Sequence, residues 1–221
     1  MKHGLSKKTE MMYYDSKYFE YQKKAGEIGG IYNQKIFRDF IHEDDVVVDF
    51  GCGGGYLLKN LNCKRKIGIE INSTAKVVAE ENGIEVYTSS SDLPSDFADV
   101  IISNHVLEHT ECPLNELKGL FRILRKGGEF VIIVPCESIK WKYKRNEPDH
   151  HLYTWSPMCI GNLLTAAGFK VIESKPYYDR YISHFRNTII KFFGLDFYRF
   201  LCHIFGLFGP LFNVKVIAVK E

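Results

Sequence analysis

No two cysteines in this chain have the Cys-x-x-Cys spacing of a zinc ribbon or a redox motif, although six are present, Cys52, Cys63, Cys112, Cys136, Cys159 and Cys202. They fall in stretches that read as core elements, where a thiol behaves as a small apolar group, so neither a disulfide framework nor an oxidising compartment is expected. Charge of one sign is lacking too. With 29 Lys and Arg against 27 Asp and Glu, the net charge is +2, which leaves no electrostatic footprint for a nucleic acid. No run of about 18 uncharged apolar residues occurs, so no spanning helix is expected. The basic residues of the first ten positions are not followed by an apolar stretch, so no secretory leader is expected and the cytoplasm is the expected compartment. Internal repeats and low-complexity linkers are also missing. What is present is a chain of 221 residues that is 45% hydrophobic, enough to bury one real core.

The apolar pattern alternates between two periods. Tyr13 to Ile41 reads as helix with a break near Gly29-Gly30. Val46-Val47-Val48 is a buried strand, and Tyr56 to Leu61 the helix after it. Lys66–Glu70, Glu85–Tyr87, Ala98–Ser103, Glu129–Val134, Val171–Ser174 and Val214–Val219 read as further strands. Ser73–Glu81, Pro113–Leu124 and a segment from Ser156-Pro157 to Ala167 read as helices, the last stopped by Gly168. Strands that are apolar on both sides and alternate with helices predict a largely parallel, doubly wound sheet.

The informative stretch is Val46-Val47-Val48-Asp49-Phe50-Gly51-Cys52-Gly53-Gly54-Gly55-Tyr56. A strand runs into a glycine loop and then a helix, at the kind of turn where open α/β sheets bind ligands, and the helix start offers unpaired N–H groups to an anion. A dinucleotide fingerprint fails, because the sixth position from Gly51 is Tyr56 and from Gly53 is Leu58; a phosphate-binding P-loop fails for want of Gly-Lys-Ser/Thr. The spacing that fits, Asp49-x-Gly51-x-Gly53-x-Gly55, resembles the first motif of class I S-adenosylmethionine-dependent methyltransferases. Glu70, about twenty positions past the loop, is an acceptor for ribose hydroxyls. Ser90-Ser91-Asp92-Leu93, Asp99 to His105 and Leu124 to Phe130 match later parts of the family pattern.

The resemblance implies a seven-stranded α/β sheet with an antiparallel last strand, S-adenosylmethionine as cofactor, and one domain over residues 1–221. Within it, 1–42 form a helical lid or cover, 45–135 the cofactor-binding core and 136–221 the substrate-side elements and last strands. It implies cofactor contacts from Asp49, Gly51, Cys52, Gly53, Glu70, Ile71, Ser91, Asp92, Leu93, Asn104 and His105, with Asp92 accepting from the adenine amine. The flanks, Tyr18 to Gln22 and Asp149 to Pro157, resemble methyltransferases of bacterial surface-polysaccharide gene clusters, which implies a sugar-like acceptor. Tyr13 to Gln22 is either a lid with Gln22 reaching the cofactor or a helix packed on the sheet edge.

Chemistry is expected past the ends of the fourth and fifth strands. His109 is the candidate base because imidazole titrates near neutral pH; Glu108 orients it or faces the substrate, and His151 or Tyr153 meets an acceptor hydroxyl. His105 to His109 also spell His-x-x-Glu-His, a zinc-protease motif that needs both histidines on one helix face and a third ligand such as His150 or His151. Starting at a strand end, this segment predicts no metal site. Lys140, Lys142, Lys144 and Arg145 either greet a phosphate or form a solvated face. Residues 185–212 are apolar and aromatic, and core packing, a dimer face and peripheral membrane contact all fit, core packing foremost. The expected activity is methyl transfer to a small sugar-like or lipid-linked hydroxyl; a catalytically silent cofactor-binding module and a zinc hydrolase built on His105 and His109 are the alternatives.

Overall fold

Runs such as Val46-Val47-Val48 and Val131-Ile132-Ile133-Val134 are apolar on both sides of a pleat, and both sides are covered. The computed structural model describes residues 16–138, 140–145, 149–178, 186–207 and 212–221. Its sheet has seven strands, β1 (Val46–Phe50), β2 (Arg65–Ile69), β3 (Glu85–Tyr87), β4 (Ala98–Asn104), β5 (Leu124–Cys136), β6 (Lys170–Tyr177) and β7 (Phe212–Val219), in the order β3-β2-β1-β4-β5-β7-β6. All pairings are parallel except those of β7, which runs antiparallel to both β5 and β6. Alternate residues feed two cores: Val48, Ile67, Ile101, Phe130 and Ile132 point into one, and Val47, Val100, Ile102, Val131 and Ile133 into the other. This is the doubly wound architecture that the alternation predicts.

Helices α1 (Ser16–Phe37), α2 (Tyr56–Lys59), α3 (Ser73–Glu81), α4 (Pro113–Ile123), α5 (Pro157–Ala167) and α6 (Arg186–Leu207) cover the sheet. Asn72 caps α3, accepting from the N–H groups of Thr74 and Ala75, and the Ser156 hydroxyl caps α5, both by the usual side-chain route.

Several boundaries differ from the sequence reading. Helix α1 does not break at Gly29-Gly30. Gly30 serves packing instead: a Cβ there would lie 2.4 Å from the carbonyl oxygen of Tyr56, so a bare backbone lets α1 approach α2. Helix α2 ends at Lys59, two residues before Leu61. Strand β2 ends at Ile69, which puts Glu70 just beyond the sheet. Strand β6 runs on to Tyr177 rather than stopping at Ser174, because it is the outermost strand, where Pro176 removes no needed ladder bond.

Residues 1–15, 185 and 208–211, proposed in part as lid and aromatic insertion, lie outside the described residues, as do the side chains of Tyr18 and Gln22. The described part of α1 is more than an edge helix, since Phe19, Lys23 and Asn33 line the central cavity. Helix α6 overturns the core-packing expectation for the apolar insertion. Tyr198 and Cys202 are fully buried, but Phe192 and Phe193 are 70% and 66% exposed, and Phe197, Phe200 and Phe205 are exposed as well. The helix is kinked at Gly194 and docks on α1 through the Arg199 guanidinium, which donates to the carbonyls of Ile31 and Tyr32.

Candidate active site

The order of the strands reverses between β1 and β4, and an open sheet leaves a crevice at the carboxyl ends of such a pair. Here that crevice opens into a cavity of about 1160 Å³. Single ligands of drug size fill pockets of about 300–1,000 Å³, so there is room for a cofactor and a second molecule.

The glycine loop forms one end. Gly51 and Cys52 donate their N–H groups to the carbonyl of Ile69, Gly55 donates to the carbonyl of Cys52, and Gly53 donates to Glu70 Oε2 at 2.9 Å. These loop donors are therefore taken by the protein itself. This corrects the expectation of an anion-binding helix start: α2 is a single turn, and the loop presents close-approach surface rather than a nest for phosphate. A Cβ on Gly53 would meet nothing within 4 Å, so the backbone is bare toward the cavity.

Two carboxylates flank this surface. Asp49 is buried at the end of β1, 3% exposed. Glu70 accepts from the backbone N–H of Asn72 through Oε1 and from Gly53 through Oε2, which holds it rigidly with lone pairs remaining for a ligand. Burial, and then the neighbouring Glu70, push the Asp49 carboxyl well above the usual carboxylate range. Burial also raises Glu70, opposed by its backbone hydrogen bonds. A buried pair of like charges is relieved by a ligand that brings positive charge and hydroxyl donors. The thiol of Cys52 lies against Gly68 and is pushed up by burial, Asp49 and Glu70.

Ser91, Asp92 and Ile71 line the same end of the cavity. Asp92 sits in a capping box with Ser89, accepting the Ser89 N–H through Oδ2, which fixes the carboxylate and leaves capacity for an amine. Leu93 is a correction: it is 3% exposed and packs in the core beneath, because the 3-10 turn Ser90–Asp92 rotates it inward. Asn104, at the end of β4, and His105, with φ of 56°, line the middle of the cavity.

The far end carries His109 and His151. His109 lies in a 3-10 turn (Leu107–His109) directly after β4, and its ring meets that of His151 edge-on at 4.9 Å. Nδ1 of His151 is 2.6 Å from Glu137 Oε1. Glu108 is fully buried under the two histidines and does not line the cavity. One ligand-type atom from each of Glu108, His109 and His151 lies within 4.8 Å of the others. Burial pushes His109 down to about 4, with the Glu108 charge opposing, so the imidazole is neutral and a weak proton acceptor. That argues against the general base expected of it.

Tyr153 is a second correction. Its hydroxyl donates to the carbonyl of Glu111 and its ring stacks on Trp155 at 5.4 Å, away from the cavity lining. Tyr153→Phe is expected to lower stability in urea melts by about 1 kcal/mol and to leave kcat within about twofold. A drop in kcat beyond about tenfold would return Tyr153 to the reaction. The basic residues Lys140, Lys142, Lys144 and Arg145 are exposed and none lines the cavity, whereas Trp141 between them does.

Glu137 was not singled out from sequence. It follows the last residue of β5, and a polar residue just past the carboxyl end of a central strand was the available signal.

Comparison with known proteins follows the same lines. A family model described as "Methyltransferase domain" matches residues 24–174. An uncharacterized methyltransferase of Schizosaccharomyces pombe is 30% identical over 125 residues, 51% of this chain and 48% of its own length. An uncharacterized protein of Methanocaldococcus jannaschii is 33% identical over 136 residues, 58% of this chain and 65% of its own. The chain thus spans about half to two thirds of these curated relatives. Among solved structures, a SAM-dependent methyltransferase from Thermotoga maritima superimposes with a TM-score of 0.65 at 17% identity, covering 92% of this chain and 94% of that one.

Proposed function

Because this chain belongs to the class I S-adenosylmethionine-dependent methyltransferase family, matched over residues 24–174, we propose that it transfers a methyl group to an oxygen of a small acceptor, a sugar-like or lipid-linked hydroxyl. The cofactor of the family is S-adenosylmethionine, and when bound it supplies a methyl group on a positively charged sulfur that leaves as a neutral thioether. The observation that carries the reading is the two-ended cavity: bare glycine backbone and paired carboxylates at one end, histidines at the other.

The residues present fit that cofactor. Glu70 is held for ribose hydroxyls and Asp92 for the adenine amine. Asp49 and Glu70 together favour a ligand with cationic groups. The loop's occupied N–H groups fit a cofactor without phosphates. At the other end, the neutral His109 and the Glu137-oriented His151 would hold and orient an acceptor oxygen, and orientation is most of what such a transfer requires. The acceptor hydroxyl held at that end would give up its proton to water as it takes the methyl group.

The likeness of Asp149 to Pro157 to enzymes of surface-polysaccharide clusters supports a sugar-like acceptor. The exposed aromatic residues of α6, docked on the cavity-lining helix α1, support a lipid-linked one, since such an apolar face would rest on a bilayer surface. No helix among the described residues is long and apolar enough to cross a membrane.

Transfer of a tritiated methyl group from S-adenosylmethionine tests both parts. Methylation of nucleotide-linked or lipid-linked sugars is the expected result. For a lipid-linked acceptor, the protein should also sediment with anionic vesicles. Methylation of amines only would reject the oxygen assignment, and exclusion from vesicles would remove the membrane role of α6.

A further inference from the structure

The Glu108 carboxylate is fully buried in the turn after β4, and neither of its oxygens makes a hydrogen bond. His105 Nδ1 stands 3.4 Å from Oε1, as an ion-pair contact without hydrogen-bond geometry. A carboxylate buried with no hydrogen bond, and with only that half-exposed histidine beside it, is costly to keep. A native fold keeps such a group where something bound there answers it.

The surroundings say what that is. His109 and His151 converge on Glu108, with one ligand-type atom from each of the three within 4.8 Å of the others. Glu137 Oε1 holds His151 Nδ1 at 2.6 Å, which leaves Nε2 for another partner. A carboxylate behind an imidazole is the arrangement that orients metal-ligating histidines. The Leu152 N–H donates to the Glu108 carbonyl at 2.9 Å, so the two segments that bring the donors are tied together before anything binds. Metal bonds of about 2.0–2.2 Å need the three donor atoms to close in by less than about 2 Å, within the reach of side-chain rotation.

We propose that Glu108, His109 and His151 bind one divalent transition-metal cation at the acceptor end of the cavity. Two imidazoles and a carboxylate favour Zn²⁺, Mn²⁺ or Co²⁺ over Mg²⁺ and Ca²⁺, which prefer oxygen ligands. Three protein ligands leave coordination positions open, the mark of a working rather than a structural site. His109 and His151 both line the cavity, so the open side faces the acceptor. There the cation would fix the acceptor oxygen and make its proton easier to lose to water. This use of the cation rests on the methyl-transfer reading; the site itself does not. It also differs from the helical His-x-x-Glu-His site weighed from sequence, because Glu108 replaces His105 as a ligand.

The test is direct binding. The full chain is stripped with chelator and titrated with Co²⁺ while visible absorption is recorded, and with Zn²⁺ and Mn²⁺ by calorimetry. One equivalent should bind, with a d–d spectrum for Co²⁺. Glu108→Gln should weaken binding at least about a hundredfold and Glu137→Gln about ten- to a hundredfold, with S-adenosylhomocysteine affinity unchanged in both. Should Glu108→Gln fail to fold, His151→Asn serves in its place. Binding of S-adenosylhomocysteine by a protein that takes up none of the three metals, or variants that bind metal as tightly as the parent, would overturn the metal site and leave the methyltransferase reading intact. Metal binding without S-adenosylhomocysteine binding would do the reverse.

Discussion

Glu70→Ala is expected to weaken S-adenosylhomocysteine binding by about ten- to a hundredfold, measured by calorimetry. A hydrogen bond to a charged group is worth about 1.5–3 kcal/mol, and about 1.4 kcal/mol is a factor of ten in affinity. The loss should fall toward the upper end, because Glu70 does a second job. It holds the N–H groups of Gly53 and Asn72, so alanine removes both a ligand contact and the brace of the loop. Glu70→Gln keeps one acceptor oxygen and should lie between the two. Folding should change less than binding: the stranded N–H groups are destabilising, but Asp49 is freed from a like charge that helps to raise it. An affinity unchanged in Glu70→Ala would remove the carboxylate from the cofactor site.

Gly51→Ala should abolish cofactor binding and lower stability by about 2–5 kcal/mol, read from urea midpoints. Two causes add. Gly51 has φ of +76°, a left-handed conformation that disfavours any Cβ by about 1–2 kcal/mol. The added Cβ would also lie 2.3 Å from Val106 Cγ2 and 2.5 Å from Cγ1. Overpacking of this kind costs about 1–3 kcal/mol, and a β-branched side chain has little freedom to turn away. The double variant Gly51→Ala/Val106→Ala separates them: it should recover the steric part and not the backbone part. Equal midpoints for Gly51→Ala and the parent would show that the loop relaxes freely.

The glycine-loop end of the cavity was readable because its signals are local. Strand, glycine loop and acidic partner follow one another along the chain, and each has a physical reason to be near the next. Leu93 misled because it adjoins Ser91 and Asp92 in sequence while a single turn of 3-10 helix points it the other way. At the acceptor end, locality fails. Glu108 and His151 meet only because β4 and β5 lie side by side and a backbone hydrogen bond joins the segments after them. Tyr153 shares a loop with His151 but faces Glu111, and irregular loops have no period from which a direction can be read. For α6 the composition was legible as apolar, but which face meets the protein depends on where Arg199 finds the carbonyls of α1.

Cys52 has a bearing on self-damage. A protein that shelters an alkylating agent beside one of its own thiols invites methylation of itself. Cys52 lines the cavity and is 7% exposed, within the loop that the cofactor approaches. Thiols react as thiolates, and burial together with Asp49 and Glu70 holds this one protonated. In the proposed reaction, the acidic pair that would favour the methyl donor would also make the adjacent sulfur a poor recipient.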